Sequence, residues 1–544
     1  MSKNQFLRRK AKTMPACSDQ AQCEKNLGRS MLTISSLTFC SRIFGLLRDI
    51  AMSWYWGASD VAQAAFQVAF AFPNSLRSLF GEGAFNQAFV PIIADSLETR
   101  GKEETWLLAE RAISLQLTLL LFCVIGVSAG SLLGLAFLPA DTALRVRLTL
   151  TILPLLMPYA LFICLSGAFA AILNCLRRFF LPALNPIVFN LVQILSILLL
   201  SRLWLNSEFM ALLFFCLSAI LAGLLQLLIL LLAARRQGFV YRFNPSWNCP
   251  QVKLLCRNVL PGIVGAGVMQ INALVDRILG LYLGSAAVGA LNFSQHLVYL
   301  PVGIFGVAMG VVCLPSMSRA WARQDEAEMS SSLNYAMRMV LFLALPCAFL
   351  LRALSLETVS LLFQRGAFTA EAARQCAWTL NFYLLGLPAF CLAKVASNPF
   401  HARKDTKTPV QIALLCMCLN LVLNLLLMRF LSQGGLALST SVCSWLNVIL
   451  LLKLNQKRQK SWQARHILMA LLSLTVLAAA AGAVTWNMRG FLQTRAILGA
   501  RPELALHGML LLLISGTAGA LCYLALNMLV SRPELKELMQ AVGL

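Results

Sequence analysis

The sequence predicts an all-α polytopic membrane protein with 14 transmembrane helices: two six-helix lobes related by an internal repeat, plus two C-terminal helices. Three observations favour this fold. Of the 544 residues, 59% are hydrophobic and 12% are charged, whereas soluble domains average about 45–50% and about 25%. The apolar residues form fourteen long runs, and features of the first six runs recur in the next six. A soluble fold is therefore excluded.

Each of the fourteen runs is long enough to cross a bilayer core of about 30 Å, which needs about 20 mostly apolar residues in a helix. We number the runs as spans 1 to 14. They lie near residues 31–57, 61–94, 107–138, 148–175, 182–201, 207–234, 255–284, 286–316, 333–351, 375–399, 409–430, 434–453, 466–487 and 504–530.

The positive charges predict the orientation of the spans. There are 45 Lys and Arg residues against 22 Asp and Glu, so the net charge is +23. When a base at the end of a span is counted with the adjoining loop, thirty of these bases lie on the side that also carries both termini. Ten lie on the other side, and five lie within spans. Cytosolic loops hold the excess of bases in membrane proteins, so both termini are predicted to be cytosolic. A nucleic-acid partner is not expected, because the bases interrupt apolar runs and do not share a solvated face.

The spans and their predicted orientation together give the expected domain boundaries. The basic tail, residues 1–28, has no apolar segment before a cleavage site and is expected to stay in the cytosol. The expected lobes are residues 29–236 and 255–455, joined by a cytosolic linker at 237–254, and residues 456–544 form helices 13 and 14 with a cytosolic C-terminus. The 17 cysteines are scattered singly and have no metal-ligand spacing, so they are expected to be buried thiols.

An internal repeat is suggested by matching positions in the two lobes. Asp49 and Asp276 each lie eight residues before a glycine that ends its span. Two prolines in span 2 match two in span 8, with offsets of 228 and 224 residues. Chance is the alternative, since Gly and Pro are frequent in membrane helices.

Spans 1 and 2 place charges inside the membrane, where each costs roughly 2.5–3.5 kcal/mol at a helix centre. The residues are Arg42, Arg48, Asp49, Arg77 and Glu82. The bases outnumber the acids, and arginine binds phosphate through a planar bidentate fork. These charges indicate a cavity for an anionic, phosphate-bearing ligand. In the alternative interpretation, Arg48 pairs with Asp49 or Glu82 and the Arg42 side chain reaches the membrane interface.

A second polar set lies in the other lobe. Asp276 is in span 7, Asn420 and Asn424 are one turn apart in span 11, and Thr440 is in span 12. Carboxylate, amide and hydroxyl oxygens suit a hard cation such as Na⁺. The same residues also suit an interhelical hydrogen-bond network, and composition alone leaves both interpretations open.

Several motifs resemble one known family. They are S-R-I-F-G-L-L-R-D at 41–49, F-P-N-S-L-R-S-L-F-G-E-G-A-F-N-Q-A-F-V-P at 72–91, Y-L-P-V-G-I-F-G-V-A-M-G-V-V-C-L-P-S at 299–316, L-F-Q-R-G-A-F at 362–368 and A-R-K-D-T-K-T-P-V at 402–410. They resemble the MurJ (MviN) family of bacterial lipid II flippases, within the multidrug/oligosaccharidyl-lipid/polysaccharide exporter superfamily. The resemblance covers nearly the whole chain beyond the N-terminal tail.

The resemblance implies a transporter with no catalytic residue, located in the bacterial cytoplasmic membrane. Its substrate would be lipid II, a polyprenyl-diphosphate-linked saccharide peptide used in peptidoglycan synthesis, moved by alternating access. It would contact membrane lipids, and cell-wall synthesis or division proteins are candidate partners. The family's cavity arginines match Arg42, Arg48 and Arg77, and its cavity acids match Asp49 and Glu82.

Two implications of the resemblance depend on this chain's own residues. A further cavity arginine of the family falls at His296, so that base is neutral unless a phosphate raises its pKa. Some members hold sodium with residues that match Asp276, Asn420, Asn424 and Thr440, and no other cofactor is expected. In the family, helices 13 and 14 form a groove thought to receive the lipid tail.

Three rival functions remain. The chain could export another polyprenyl-diphosphate-linked saccharide or act as a multidrug antiporter of the same superfamily, although such an antiporter favours acids in its cavity. A membrane-embedded glycosyltransferase is less favoured, since the four histidines lie on different spans or loops and no catalytic loop is present.

Overall fold

The computed structural model describes residues 17–81, 84–139, 141–203, 207–246, 250–458, 464–494, 505–530 and 533–535, and they are mainly helical. Helices α1 to α18 span, in order, Cys17–Trp56, Val61–Leu76, Ala84–Thr99, Lys102–Ala136, Leu144–Cys175, Phe180–Leu200, Glu208–Arg236, Pro250–Leu283, Ser285–Pro301, Ala308–Ala322, Glu326–Ala353, Ser355–Phe363, Ala370–Ala396, Asn398–Ala402, Lys407–Leu431, Gln433–Arg458, Ala464–Thr494 and Ala505–Leu529. Two π-helical turns, Arg77–Gly81 and Val302–Val307, follow α2 and α9.

The helices form a multi-pass membrane protein. Eleven of the described helical segments are long and apolar enough to cross a membrane. The other three predicted spans correspond to α1, to α2 with α3, and to α8, which carry the intramembrane charges. Large apolar side chains are exposed around the outside, among them Phe122, Phe137 and Phe430. Such an apolar exterior is suited to contact with lipid tails, which are as apolar as leucine side chains.

The helices of residues 17–236 and those of residues 250–458 pack in the same pattern. We call these stretches the first half and the second half. In the first half α1 packs on α6, α2 on α5, α4 on α5, α5 on α7 and α6 on α7. In the second half the equivalent pairs are α8 with α15, α9 with α13, α11 with α13, α13 with α16 and α15 with α16. Helix α17 then packs on α11 and on α18.

Each half has its own buried core. Phe66, Tyr159 and Phe215 belong to the core of the first half, and Phe293 and Phe342 belong to that of the second. Aromatic side chains bury a large apolar area in each core and fix how the helices pack. A third cluster joins the first half to the start of α8. The two halves therefore have separate main cores that are joined through α8.

The π-helical turns lie at equivalent places in the two halves. Pro73 lies inside α2 just before the first turn, and Pro301 ends α9 just before the second. Proline lacks the N–H that would continue the α-helical hydrogen bonds, so the backbone widens there. These turns place Arg77 and Gly303 at the middle of their spans.

The two halves contact each other where α1 and α8 end. The backbone N–H of Ala367 donates to the carbonyl of Trp54 at 3.0 Å. Arg145 donates through Nε to the carbonyl of Leu281 at 2.7 Å and through Nη2 to that of Tyr282 at 3.1 Å. Those carbonyls belong to the last turn of α8, where the helix dipole attracts a cation.

A polar turn precedes α15 at the opposite end of the second half. Asp405 accepts hydrogen bonds from the backbone N–H of Thr408 at 3.1 Å and from Arg458 Nη1 at 2.5 Å. Partial burial raises the pKa of the Asp405 carboxyl, but the hydrogen bonds from Thr408 and Arg458 outweigh it, so this pKa lies below its ordinary value. The turn thereby links the start of α15 to the end of α16.

We predict that Gly289→Ala lowers the stability of the protein by about 1–3 kcal/mol, as overpacking does elsewhere. A Cβ at Gly289 would fall on the carbonyl oxygen of Ala58 in the other half. Thermal unfolding of the purified protein in detergent measures the effect. The matched control is Gly130→Ala, because a Cβ at Gly130 meets nothing within 4 Å. Equal melting temperatures for the two variants would contradict the proposed close contact.

Candidate functional site

A buried carboxylate between two bases forms the centre of the candidate site. Asp49 on α1 accepts hydrogen bonds on Oδ1 from Arg48, at 3.2 Å from Nε and 2.9 Å from Nη2. Its Oδ2 pairs with Nδ1 of His296 on α9. The Asp49 side chain is 6% exposed, while those of Arg48 and His296 are 20% and 33% exposed. The site thus joins the two halves through one acid and keeps both bases accessible.

A cavity of about 470 Å³ opens beside this centre within the first half. Arg48 and Arg77 both line it. Arg77 donates from Nε to Asn74 Oδ1 at 3.0 Å, and Arg48 lies over the ring of Phe189 with its Cζ 5.7 Å from the centroid. Both guanidinium groups are therefore held in place, and two arginines on one wall suit an anion with several oxygen atoms.

Arg42, the other predicted base of span 1, lies outside this cavity. The guanidinium of Arg42 lies against the backbone of Gly303, where a Cβ would overlap its nitrogen atoms. Arg42 therefore contacts the second half and does not line the cavity. Glu82 lies outside the described residues. The alternative interpretation was correct in that Arg48 pairs with Asp49.

Side-chain amides form much of the cavity wall, and the sequence analysis did not identify them. They are Asn74, Asn86, Asn174, Asn185, Asn190 and Gln226. Amides both donate and accept hydrogen bonds, so this wall suits a ligand rich in hydroxyl and amide groups. The available signal was the presence of amides inside apolar runs, especially around the prolines at 182 and 186.

The second predicted set is brought together around Asp276. Asn424 Nδ2 donates to Asp276 Oδ1 at 2.6 Å and to Asn420 Oδ1 at 2.9 Å. Thr440 Oγ1 donates to Asp276 Oδ2 at 3.3 Å. Ser439, which the sequence analysis missed, pairs with Asn424 Oδ1. The four predicted residues thus form one hydrogen-bonded cluster between α8, α15 and α16.

The chemistry of this cluster fits a hard monovalent cation. It has carboxylate, amide and hydroxyl oxygens, and rotating the Asn424 amide would turn its oxygen toward Asp276; such amide orientations are assigned from hydrogen bonding. A cavity of about 20 Å³ adjoins Asp276 and is also lined by Arg277, Asn292 and Gln295. That volume accommodates one water-sized particle. Among the described residues, no three His, Cys, Asp or Glu side chains group as metal ligands, so a transition-metal cluster is not indicated there.

Comparisons of sequence identify relatives across most of the chain. Residues 52–506 match the family described as lipid II flippase MurJ. A probable lipid II flippase MurJ of Rhizobium tropici is 32% identical over 468 residues, covering 83% of this chain and 86% of the relative. Another, of Vibrio cholerae, is 31% identical over 481 residues, covering 85% and 90%.

Comparisons of structure give the same fold. A solved lipid II flippase MurJ in an inward closed conformation has a TM-score of 0.73 at 24% identity, covering 92% of this chain and all of that one. An inward-facing multidrug resistance MATE family transporter of the MOP superfamily has a TM-score of 0.63 at 13% identity, covering 79% and 98%. Since the family match spans most of the sequence, the chain belongs to the lipid II flippase MurJ family, whose members are transporters rather than enzymes.

Proposed function

We propose that this protein is a lipid II flippase of the bacterial inner membrane. It moves the undecaprenyl-diphosphate-linked peptidoglycan precursor from the inner to the outer leaflet by alternating access. The observation that carries this proposal is the Arg48–Asp49–His296 cluster, which joins the two halves beside a cavity with a second arginine, Arg77. No covalent chemistry is needed for this movement.

In the proposed cycle, the diphosphate of the substrate takes the place of Asp49 on the bases. Arg48 and Arg77 offer bidentate hydrogen bonds to phosphate oxygens, and a ring nitrogen of His296 can add a further hydrogen bond. Asp49 orients Arg48 in the empty state and competes with the phosphate for it, which allows release. Arg42, held against Gly303 here, joins the bases when the halves separate. The amide wall would contact the saccharide and the peptide.

The fourteen-span topology is part of this proposal. Two six-helix lobes plus two helices account for the matching helix pairs in the two halves. Both termini would be cytosolic, as the excess of Lys and Arg on that side favours. Helices α17 and α18 would then form a separate pair on the second lobe. Cell-wall synthesis or division proteins remain candidate partners.

We further propose that the Asp276 cluster binds sodium, with Asp276, Asn420, Asn424 and Thr440 as ligands. The all-oxygen donor set supports a hard cation. A membrane potential that is negative inside favours inward movement of one positive charge by about 2.3 kcal/mol per 100 mV. Inward sodium movement would therefore help to reset the empty carrier.

The alternative substrate is another polyprenyl-diphosphate-linked saccharide, because the same bases would bind its diphosphate. A multidrug antiporter of the superfamily is less favoured, since the cavity of the first half is lined by two arginines and amides and by no acid among its described residues. A cationic drug would meet repulsion there.

For the topology, we expect alkaline phosphatase to be active when it is fused after Asp141 and inactive when it is fused after Arg236. The first site follows span 3 and the second follows span 6, and this enzyme folds only outside the cytosol. Activity normalised to the amount of fusion protein is the measurement. The opposite pattern would reverse the proposed orientation.

For the diphosphate site, we expect Arg48→Ala to abolish complementation of a flippase-depleted bacterium. Losing the charged hydrogen bonds of one arginine, at about 1.5–3 kcal/mol each, weakens substrate binding by at least about tenfold. Arg48→Lys should restore only part of the activity, because it keeps the charge and loses the fork. Arg429→Ala, an exposed arginine far from the cavity in sequence, is the control. Full complementation by normally expressed Arg48→Ala would refute the role of Arg48.

For the ion site, we expect Asp276→Ala to lower sodium affinity at least about tenfold, since a charged ligand is lost. Thr440→Val should give a smaller loss, because it removes one hydroxyl and keeps the shape. Isothermal titration of the purified protein with NaCl measures both. Ser444→Ala is the control, because its hydroxyl bonds only to the carbonyl of Thr440, one turn away. Unchanged affinity in Asp276→Ala would remove the site.

A further inference from the structure

A second large cavity lies far from the proposed transport site. Its volume is about 640 Å³, and it is formed by the end of α11, the start of α12, the start of α13 and the C-terminal part of α17. By the proposed topology these helix ends face the outer leaflet. Neither the diphosphate mechanism nor the ion site uses this cavity.

Three arginines line this cavity: Arg352, Arg374 and Arg489. They are three of only ten bases predicted on the outer side, where loops are poor in Lys and Arg. The excess of Lys and Arg that orients membrane proteins lies in cytosolic loops, so it does not explain a cluster of bases on the outer side. An anionic ligand at this cavity would explain it.

The three arginines differ in how they are held. Arg489 donates from Nε to Glu357 at 2.6 Å and from Nη1 to the carbonyl of Ala353 at 3.2 Å, and it lies 4.5 Å from the ring centroid of Trp486. Arg374 and Glu371 are both exposed and lie 3.6 Å apart. An ion pair between exposed side chains contributes little, so Arg374 is available to another anion.

Arg352 is exposed and forms no ion pair among the described residues. It therefore supplies a second available guanidinium on the same cavity as Arg374. Asn381, also on the wall, has a buried Oδ1 with no hydrogen-bond partner in the described part of the chain. Two available arginines can bind an anion that has several oxygen atoms, and the Asn381 oxygen can accept a hydrogen bond from a hydroxyl of its headgroup.

Apart from Ser355, the rest of the wall is apolar. Phe349, Leu356, Trp378, Ala479 and Ala483 line it with Trp486. Tryptophan is enriched at the membrane interface, where its ring sits at the level of the headgroups. A cavity that is basic at one side and apolar at the other fits an amphiphile better than a free ion.

We propose that this cavity binds the phosphate headgroup of an anionic membrane phospholipid, with Arg352 and Arg374 contacting the phosphate and the apolar wall contacting the start of the acyl chains. The assignment to the outer leaflet rests on the proposed topology. The binding itself requires neither transport nor sodium.

The test uses the purified full-length protein in detergent and native mass spectrometry with equal amounts of phosphatidylglycerol and phosphatidylcholine. We expect more adducts with phosphatidylglycerol than with phosphatidylcholine. In the double variant Arg352→Gln, Arg374→Gln, phosphatidylglycerol affinity should fall at least about tenfold, as expected for losing charged hydrogen bonds. Arg365→Gln is the matched control, because Arg365 is exposed on the same side and does not line the cavity. Arg489 is left unchanged because it is packed.

Three results would overturn the proposal. The first is unchanged phosphatidylglycerol affinity in the double variant, and the second is an equal loss of affinity in Arg365→Gln. The third is thermal stabilisation by inorganic phosphate equal to that by phosphatidylglycerol, which would assign the site to a free anion. A melting curve of the double variant without lipid verifies that it is folded. Lipid II transport is measured separately on Arg48→Ala, so failure of this site and failure of the proposed transport are distinguishable.

Discussion

The contact between the two halves depends on which groups pair with one buried carboxylate. Asp49 lies in the membrane on α1 and is paired with Arg48 from its own helix and with His296 from the other half. Removing one partner of a buried ion pair typically costs about 3–5 kcal/mol. Because His296 lies across the interface, its pairing with Asp49 is also a contact between the two halves.

In the proposed transport cycle, this constraint connects ligand binding to movement of the two halves. When the halves separate, His296 leaves Asp49, and both groups need other partners. A diphosphate can compensate Arg48, Arg77 and His296 together, so the loaded protein has a different set of stabilising contacts from the empty one. A ligand shifts a conformational equilibrium only through such a difference in contacts. Competition between Asp49 and a phosphate for the same bases supplies that difference.

The sequence predicted the helical membrane fold, because apolar runs of the right length have few other folds available. It also identified Arg48, Arg77 and the Asp276 cluster as candidate site residues, because charges and amides inside such runs need partners. The position of Arg42 against Gly303 was not predictable, since helical spacing gives a residue's face but not the neighbour it meets. The same holds for Ser439 and for the amide wall. Helix α1 also begins at Cys17, well before the predicted span, because a helix can continue beyond the apolar region.

Arginine has three different roles in this chain, and the role depends on what compensates its charge. Exposed loop arginines such as Arg365 orient the protein in the membrane under the proposed topology. Arg48 is compensated by an acid shared with the opposite half, so its environment changes whenever the halves move. Arg489 is compensated by Glu357 on α12, within the unit that α11, α12 and α17 form. The residues that line the cavity around Arg489 all belong to the second half or to α17. In the proposed cycle this cavity therefore keeps its shape while the site around Arg48 rearranges.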